Sequence, residues 1–174
     1  MSDIKIIDNF LDEYDATNLE RIFCDEGGIP WHYQSTVVSD YDDEDINDSD
    51  YNFQFTHRIY NDFEFVSEFK KFIFPIFTKL GVKVLIRAKF NLRPRAPRIY
   101  ESLMHNDIPN FTDVLPYKTA IYYLNSNDGY TIFESGEKIN SVANRIISFD
   151  GKMKHAGTTC TDKNNRVVLN INYF

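Results

Sequence analysis

Runs rich in apolar and aromatic residues follow one another along the C-terminal half of the chain, and apolar and polar residues alternate in the last of them. A period of two places successive side chains on opposite faces of an extended backbone, so alternation predicts a β-strand. The chain reads as strands over residues 82–91, 118–125, 130–134, 144–149 and 167–173. Turn-forming sequences separate several of these runs, at Asn127-Asp128-Gly129, Ser135-Gly136 and Asp150-Gly151. A β-rich core is therefore expected after residue 82.

The N-terminal half combines strand and helix patterns. Short strands are predicted over residues 4–7 and 53–59, and helices over residues 12–24 and 64–80. Gly27 and Gly28 predict the end of the first helix, whereas Pro75 predicts a kink or a break in the second and Gly81 its end. The second helix repeats phenylalanine at helical spacing, and these rings are expected in the core rather than around a cofactor.

Composition limits the number of domains. The chain has 174 residues, of which 43% are hydrophobic and 16% aromatic. That length and apolar content suit one core, and aromatic side chains fit pleated sheets. We expect a single domain over residues 1–174 that is mainly β with flanking α-helices. Residues 1–81 would supply an N-terminal strand and supporting helices, and residues 82–174 the β core.

Charge is distributed unevenly. The net charge is −7, from 19 basic and 26 acidic residues, and residues 40–50 alone contain seven acids and no base. Without that segment the chain is neutral, so the acidity predicts a solvated loop and identifies no partner. The segment lacks the glycine and terminal glutamate of an EF-hand calcium loop, which disfavours a calcium site.

A basic stretch leads toward the candidate site described below. Its six cations, with no acid among them, are Lys83, Arg87, Lys89, Arg93, Arg95 and Arg98. One interpretation is that they flank a cavity and attract an acidic peptide or a phosphate backbone. The other is that they form a solvated strand face followed by a proline-containing loop.

Cysteine content and the N-terminal sequence bear on location. Cys24 and Cys160 are far apart in the sequence and form no Cys-x-x-Cys motif, which favours free thiols in a reducing compartment. The sequence alone does not exclude a disulfide bond between them. The first residues lack a secretory pattern, and no apolar run approaches the length of a membrane span. A soluble, cytoplasmic protein is expected.

The candidate chemistry begins with His105 and Asp107. Side chains two apart on a strand point to the same side, so this His-x-Asp pair could bind one ion. His155, just past the strand pattern of residues 144–149, is the candidate third ligand. Two histidines and one carboxylate on one side of an ion leave positions open for catalysis. The alternatives are a core histidine bonded to a carbonyl at position 105 and a solvated loop histidine at position 155.

The last strand has one apolar and one largely polar face. The first consists of Val167, Leu169, Ile171 and Tyr173, and the second of Arg166, Val168, Asn170 and Asn172. In a closed double-sheet barrel the polar face would line a ligand cavity, where Arg166 could bind both oxygens of a carboxylate. A half-buried strand with its polar side toward water would have the same pattern.

Together these residues resemble the iron(II)- and 2-oxoglutarate-dependent oxygenases, in their prolyl-hydroxylase-like branch. The resemblance covers residues 84–174 and rests on His105-x-Asp107, His155 and Arg166, with support from the tyrosine-bearing strand around Tyr123 and the closing Tyr173-Phe174. It implies a double-stranded β-helix, the jelly roll of cupin-like proteins. It also implies that His105, Asp107 and His155 bind Fe(II).

The same resemblance implies a 2-oxoglutarate site. Its far carboxylate would bind Arg166 and the hydroxyl of Tyr123, with Tyr122 as the alternative tyrosine. No tyrosine stands at a suitable spacing before His105 to contact the keto-acid end, so Asn91 is the candidate for that role. Asn170, on the polar face of the last strand, is a further candidate cofactor-binding residue. Ascorbate is the expected reductant.

The resemblance implies that O2 and 2-oxoglutarate are consumed to hydroxylate an aliphatic C–H of a peptide or small molecule, with release of succinate and CO2. Oxidative demethylation of nucleic acid is an alternative, disfavoured by the charge balance and by the single arginine of the last strand. A non-enzymatic jelly-roll binding module is another, disfavoured because all three candidate ligands are present. The short form also resembles phage-encoded oxygenases, which would place it in the host cytoplasm. Substrate choice is assigned to three segments: residues 40–50, 93–100 and 110–116.

Overall fold

The chain forms eleven strands and two α-helices in the computed structural model, which describes residues 4–25, 27–37, 51–108 and 116–174. The strands are β1 (Lys5–Ile7), β2 (His32–Gln34), β3 (Gln54–Asn61), β4 (Glu64–Phe65), β5 (Leu85–Pro94), β6 (Lys118–Tyr123), β7 (Tyr130–Phe133), β8 (Lys138–Asn140), β9 (Arg145–Asp150), β10 (His155–Gly157) and β11 (Asn165–Tyr173). The helices are α1 (Glu13–Glu20), extended by a π-helical turn (Arg21–Asp25), and α2 (Phe74–Leu80), which follows a 3-10 helix (Glu68–Phe72).

The strands form two antiparallel sheets. The larger has the order β1-β9-β6-β11-β5-β3-β2, with β4 paired to β3, and the smaller has the order β10-β7-β8. β11 lies in the middle of the larger sheet between β5 and β6. Strands from both halves of the sequence therefore belong to one sheet. The predicted class, mainly β with flanking helices, is confirmed.

Two apolar clusters lie on opposite faces of the larger sheet. On the helix side, Phe23 stacks on Phe90 with ring centroids 3.8 Å apart, and every second residue of β11 from Val167 to Tyr173 joins this cluster. Between the two sheets, Tyr123, Phe133 and Val168 belong to the second cluster. β11 is consequently buried on both faces, and the alternative of a solvated surface strand is wrong.

The helices begin and end where local chemistry favours it. Asp12 caps α1 by accepting a 3.0 Å hydrogen bond from the backbone N–H of Asp15. The single helix predicted over residues 64–80 is wrong in its first part, where β4 pairs with β3 and a 3-10 helix follows. Pro75 lies in the first turn of α2. Backbone N–H groups in the first turn form no hydrogen bond within the helix, so the N–H that proline lacks is not needed there. Gly81 ends α2 at φ 69°, a left-handed conformation that favours glycine.

The three-residue strands β2, β8 and β10 were not predicted, because so short a run shows no measurable period and they lack the apolar run that marks β1. Their pairing partners define them: β10 exists through its register with β7. The acidic run of residues 40–50 and the predicted substrate loop up to residue 115 lie outside the described residues. No helix in the described part of the chain is both long and apolar enough to cross a membrane.

Candidate metal centre and its cavity

His105, Asp107 and His155 lie together between the two sheets. The backbone N–H of His105 donates to the carbonyl of His155 at 3.0 Å, and the reverse bond is 3.1 Å long, so the two histidines face each other across an antiparallel bridge. Their ring centroids are 5.0 Å apart. Asp107 follows two residues later, and one ligand atom from each of the three residues lies within 4.8 Å of the others.

Both imidazoles are oriented by backbone carbonyls. Nδ1 of His105 lies 2.9 Å from the carbonyl oxygen of Leu103, and Nδ1 of His155 lies 3.3 Å from that of Met153. A carbonyl only accepts, so each Nδ1 carries a hydrogen and each Nε2 is the ring atom available to bind a metal. Nε2 of His155 lies 3.8 Å from Oδ2 of Asp107. This tautomer and this orientation are those that a metal-binding histidine requires.

Asp107 is held as a carboxylate. Nδ2 of Asn170 donates to both of its oxygens at 3.0 Å, and Nδ2 of Asn172 donates to Oδ2 at 3.1 Å. Arg87 adds an ion pair at 3.2 Å, although its Nη2 is not aligned for a hydrogen bond. Burial opposes ionisation, but His155, Arg87, His105 and the Asn170 hydrogen bond outweigh it and hold the pKa of Asp107 well below its usual range. The carboxylate is thus charged at neutral pH.

A cavity runs from these three residues to Arg166. It is lined by side chains of both sheets, among them Asn91, Ile121, Thr131, Val168 and Asn170. The donor set and the cavity fit a divalent metal ion with a small organic anion beside it, because two imidazoles and one carboxylate face the same space.

Arg166 is buried at the far end of the cavity. Its Nε donates to Oγ of Ser141 at 2.8 Å, and its Nη2 donates to Oγ1 of Thr131 at 3.2 Å. Among the described residues none accepts from Nη1, which leaves that group for a ligand. Burial lowers the pKa of Arg166 from its ordinary value, and an anion in the cavity would offset the cost of burying this charge.

The two tyrosines of β6 point to opposite faces of the sheet. Tyr123 lies on the side of the sheet that carries Arg166, where its ring lies 5.6 Å from the Arg166 guanidinium carbon and its hydroxyl donates to Oγ1 of Thr131 at 2.8 Å. Tyr122 lies in the helix-side core and donates to Oδ1 of Asn144 at 3.1 Å. Of the two tyrosines, Tyr123 is therefore the one beside Arg166.

Asn91 and Asn170 also line the cavity, and in both residues the buried Oδ1 has no hydrogen-bond partner. An unpaired buried acceptor destabilises a protein by about 1–3 kcal/mol, so two of them in one cavity indicate that a ligand or water completes their bonding. The amide nitrogen of Asn170 is already bound to Asp107.

The basic stretch divides between the cavity side and the solvent. Lys83, Arg95 and Arg98 are exposed, as the solvated interpretation expects. That interpretation is wrong for the cations of β5: Lys89 and Arg93 line the cavity, and Arg87 pairs with Asp107. The alternation of residues 87–93 was the available signal, because it places every second side chain on one face.

Two of these β5 cations, Lys89 and Arg93, have pKa values well below their ordinary ones. Burial, together with Arg87, lowers the pKa of Lys89 to about 8. Burial and the neighbouring Arg166 lower the pKa of Arg93 to about 10. Arg93 donates to the carbonyl of Tyr51 at 2.8 Å and to that of Gly157 at 3.4 Å. Nothing in the sequence indicated these partners, nor Thr131 and Ser141 as partners of Arg166.

Comparison with known proteins identifies the fold. No protein-family profile and no curated protein sequence matches this chain. Among solved structures, the fold is that of 2-oxoglutarate-Fe(II) oxygenases, so the predicted double-stranded β-helix is confirmed. At sequence identities of 11–16%, the likeness establishes the fold.

Three of these structures illustrate the likeness. A prolyl hydroxylase from Trichoplax adhaerens, in complex with a hypoxia inducible factor peptide fragment, has a TM-score of 0.67 and 16% identity over 98% of this chain and 83% of that one. A 2OG-Fe(II) oxygenase family oxidoreductase from Burkholderia pseudomallei has a TM-score of 0.67 and 11% identity, and the match covers 98% of this chain and 84% of that one. The viral collagen prolyl hydroxylase of Paramecium Bursaria Chlorella virus-1, in its 2OG complex, has a TM-score of 0.61 and 14% identity, and the match covers 97% of this chain and 93% of that one.

Proposed function

We propose that this chain is an Fe(II)- and 2-oxoglutarate-dependent dioxygenase. The observation that supports this most is a single cavity with two histidine Nε2 atoms and the Asp107 carboxylate at one end and the buried Arg166 at the other. Neither the metal-binding triad nor the buried arginine would by itself identify the cosubstrate. A metal-binding triad paired with a buried guanidinium matches a cosubstrate that has a chelating end and a carboxylate end.

In this proposal His105, Asp107 and His155 bind the metal. Ferrous iron, when bound, supplies the chemistry that couples oxidative decarboxylation of 2-oxoglutarate to C–H hydroxylation. The balanced reaction converts R–H, 2-oxoglutarate and O2 into R–OH, succinate and CO2. The protein's part is to keep both imidazoles in the binding tautomer through Leu103 and Met153, and to keep Asp107 ionised through Asn170, Asn172 and Arg87. The last three contacts also fix the direction of the carboxylate.

The same cavity would orient the cosubstrate. Arg166 binds the far carboxylate through Nη1, and Ser141 and Thr131 hold the guanidinium so that little side-chain entropy is lost on binding. Tyr123 completes this end of the site through the hydroxyl that now bonds Thr131. Asn91 contacts the keto-acid end. Asn170 contributes indirectly by positioning Asp107.

The proposed substrate is a peptide, a protein or a small molecule with an aliphatic C–H, by analogy with the prolyl hydroxylases that share the fold. Residues 1–174 would act as one catalytic domain in the cytoplasm, with ascorbate keeping the iron reduced. The N-terminal strands support one domain because they pair within the sheet that contains β11.

Metal binding and cosubstrate turnover test the proposal together. Wild-type protein is titrated anaerobically with Fe(II) and 2-oxoglutarate, and succinate is then measured after O2 and ascorbate are added. We expect one Fe(II) per chain and slow succinate formation even without substrate. His155→Ala should lose both, whereas His32→Ala, an exposed histidine outside the site, should behave as wild type. A wild-type chain that binds no metal would contradict the proposal and favour a non-enzymatic binding module.

A further inference from the structure

A second cavity adjoins the metal cavity along the sheet, on the side of β3 and β2. Its lining consists of Gln34, Thr36, Val37, Gln54, Thr56, Arg58 and Lys89. Val37, Gln54 and Lys89 line the metal cavity as well. We call this space the lateral cavity. A molecule lying in it would pass Lys89 to reach the metal side.

The lateral cavity has two positive side chains without partners among the described residues. Arg58 and Lys89 lie opposite each other on β3 and β5, and Asn170 lies opposite Lys89 on β11. The side chains of Arg58 and Lys89 form no hydrogen bond or ion pair with any described residue, and the Asp107 carboxylate attracts Lys89 without pairing with it. No acid is among the described lining residues. Arg87, the other cation nearby, is already paired with Asp107.

Two cations that have no partner among the described residues, beside a polar cavity, favour binding of an anion. Repulsion between neighbouring positive charges destabilises this wall, and a bound negative charge removes that cost. Arg58 is exposed and Lys89 is partly buried, so the pair extends from the surface to the metal cavity. The amide and hydroxyl groups of Gln34, Gln54 and Thr56 offer further hydrogen bonds to an oxyanion.

We propose that the lateral cavity binds a carboxylate of the primary substrate, with Lys89 and Arg58 as its specificity-determining residues. The inference rests on the proposed function and adds a substrate class to it. A planar carboxylate suits one arginine and one lysine beside amide and hydroxyl groups. A nucleic-acid backbone instead requires a track of many cations with stacking surfaces, which the lining residues do not provide.

The sheet geometry sets how far the oxidised carbon lies from that carboxylate. Adjacent strands are about 4.8 Å apart, so Lys89 lies one strand, and Arg58 two strands, away from Asn170, which contacts Asp107. A carboxylate between Lys89 and Arg58 would leave a carbon only a few bonds away to face the metal. A free amino acid, another small carboxylic acid or an acidic residue of a peptide would meet this requirement.

Binding measurements can test the carboxylate requirement without turnover. Protein loaded with Zn(II) and the inert cosubstrate analogue N-oxalylglycine is titrated with the free L-amino acids and with their carboxamides. A second arm uses capped peptides that differ only by glutamate or glutamine at one position. We expect at least one carboxylate probe to bind and its amide counterpart to bind at least tenfold more weakly. The arm that binds distinguishes a free acid from a peptide side chain.

Variants test the two residues directly. Lys89→Met and Arg58→Gln should each weaken binding of the carboxylate probe at least tenfold, while N-oxalylglycine affinity stays close to wild type and neither variant lowers the unfolding temperature. Lys83→Gln, an exposed lysine just before β5, is the matched control and should bind as wild type. Retained N-oxalylglycine binding also shows that each variant is folded.

Several outcomes would overturn the inference. The first is equal affinity for the acid and amide probes, or no binding of any carboxylate probe. The second is unchanged binding of the carboxylate probe in both variants. The third is loss of N-oxalylglycine affinity in Lys89→Met, because that result would assign Lys89 to the cosubstrate. If a single-stranded oligonucleotide binds and Lys89→Met loses that binding, the group bound in the lateral cavity is a phosphate and not a carboxylate. A wild-type protein that fails to bind N-oxalylglycine would instead refute the proposed function itself.

Discussion

Asp107 illustrates how much of this site is built from single contacts. Its carboxylate accepts from two asparagines of β11 and pairs with an arginine of β5, while two histidines face it. Each contact favours the charged form, and together they outweigh the cost of burial. At this scale, the site depends on donors that hold charges in place before any ligand binds.

Arg166 is the residue on which cosubstrate affinity should depend most. Arg166→Ala removes a buried, charged hydrogen-bond donor, so the affinity for N-oxalylglycine in the Zn(II)-loaded protein should fall by roughly 2–3 kcal/mol. Isothermal titration calorimetry measures this directly. Arg95→Ala, an exposed arginine that follows β5, is the control and should bind as wild type. Unchanged affinity in Arg166→Ala would assign the carboxylate end to another cation.

Lys89 should make the stability of the metal-free protein depend on pH. Its pKa falls from an ordinary 10.5 to about 8 in the folded chain, chiefly through burial. Between these values the unfolded chain holds a proton that the folded chain has lost, so this residue's contribution to stability rises with pH. Below pH 8 the buried charge is a cost.

Urea unfolding of wild type and Lys89→Met at pH 7 and pH 9.5 checks this sign. The variant should be the more stable protein at pH 7, and its advantage should shrink at pH 9.5. Lys83→Met should show no such change, since Lys83 is exposed. An advantage that grows with pH would mean that Lys89 is stabilised in its charged form.

At the scale of elements, close approach between loops positions the cosubstrate end of the cavity. Gly129, just before β7, has no room for a side chain: a Cβ there would lie 2.6 Å from the backbone oxygen of Thr159 and 2.7 Å from Cδ of Arg166. Both distances are shorter than real Cβ contacts, so the neighbours would have to move. The turn into β7 thus limits where Arg166 can lie.

Gly129→Ala should therefore act through Arg166. Displacing that side chain should lower N-oxalylglycine affinity, and overpacking should destabilise the fold by about 1–3 kcal/mol. Gly27→Ala is the matched control, because nothing lies within 4 Å of a Cβ at that position. Calorimetry and urea unfolding separate the two effects. Normal affinity in Gly129→Ala would show that the turn can yield without moving the guanidinium.

At the scale of the whole molecule, the candidate ligands connect the two sheets. His155 belongs to β10 of the smaller sheet, whereas Asp107 is held by β5 and β11 of the larger one. A metal bound by both would oppose their separation. Folding and metal binding should therefore be linked, because the unfolded chain lacks this arrangement.

Metal binding should consequently raise the unfolding temperature. A ligand at a concentration one hundred times its dissociation constant stabilises the folded state by about 2.7 kcal/mol, and N-oxalylglycine should add to that effect. Thermal unfolding with and without Zn(II) measures the shift. His105→Ala should lose most of it, and His32→Ala should retain it. An equal shift in all three proteins would indicate that Zn(II) binds elsewhere.

Local pattern determined a large part of this protein. The period of two in β11 predicted its two faces, and residue type, spacing on strand-like runs and the family resemblance identified His105, Asp107, His155 and Arg166 as candidates that the structure brings into one cavity. Alternation and residue chemistry are properties of neighbouring positions, so they can be recognised without the fold. The Pro75 break and the Gly81 helix end were local in the same sense.

Only the tertiary structure decided which distant groups meet. The bridge between His105 and His155 joins positions fifty residues apart, and the partners of Arg166, Thr131 and Ser141, come from elements that have no sequence signal of their own. Likewise, β5 could face water or a cavity until its pairing with β3 and β11 placed Lys89 beside the metal centre. Strand pairing and burial are long-range properties, and they determined the tautomers, the charge of Asp107 and the lateral cavity.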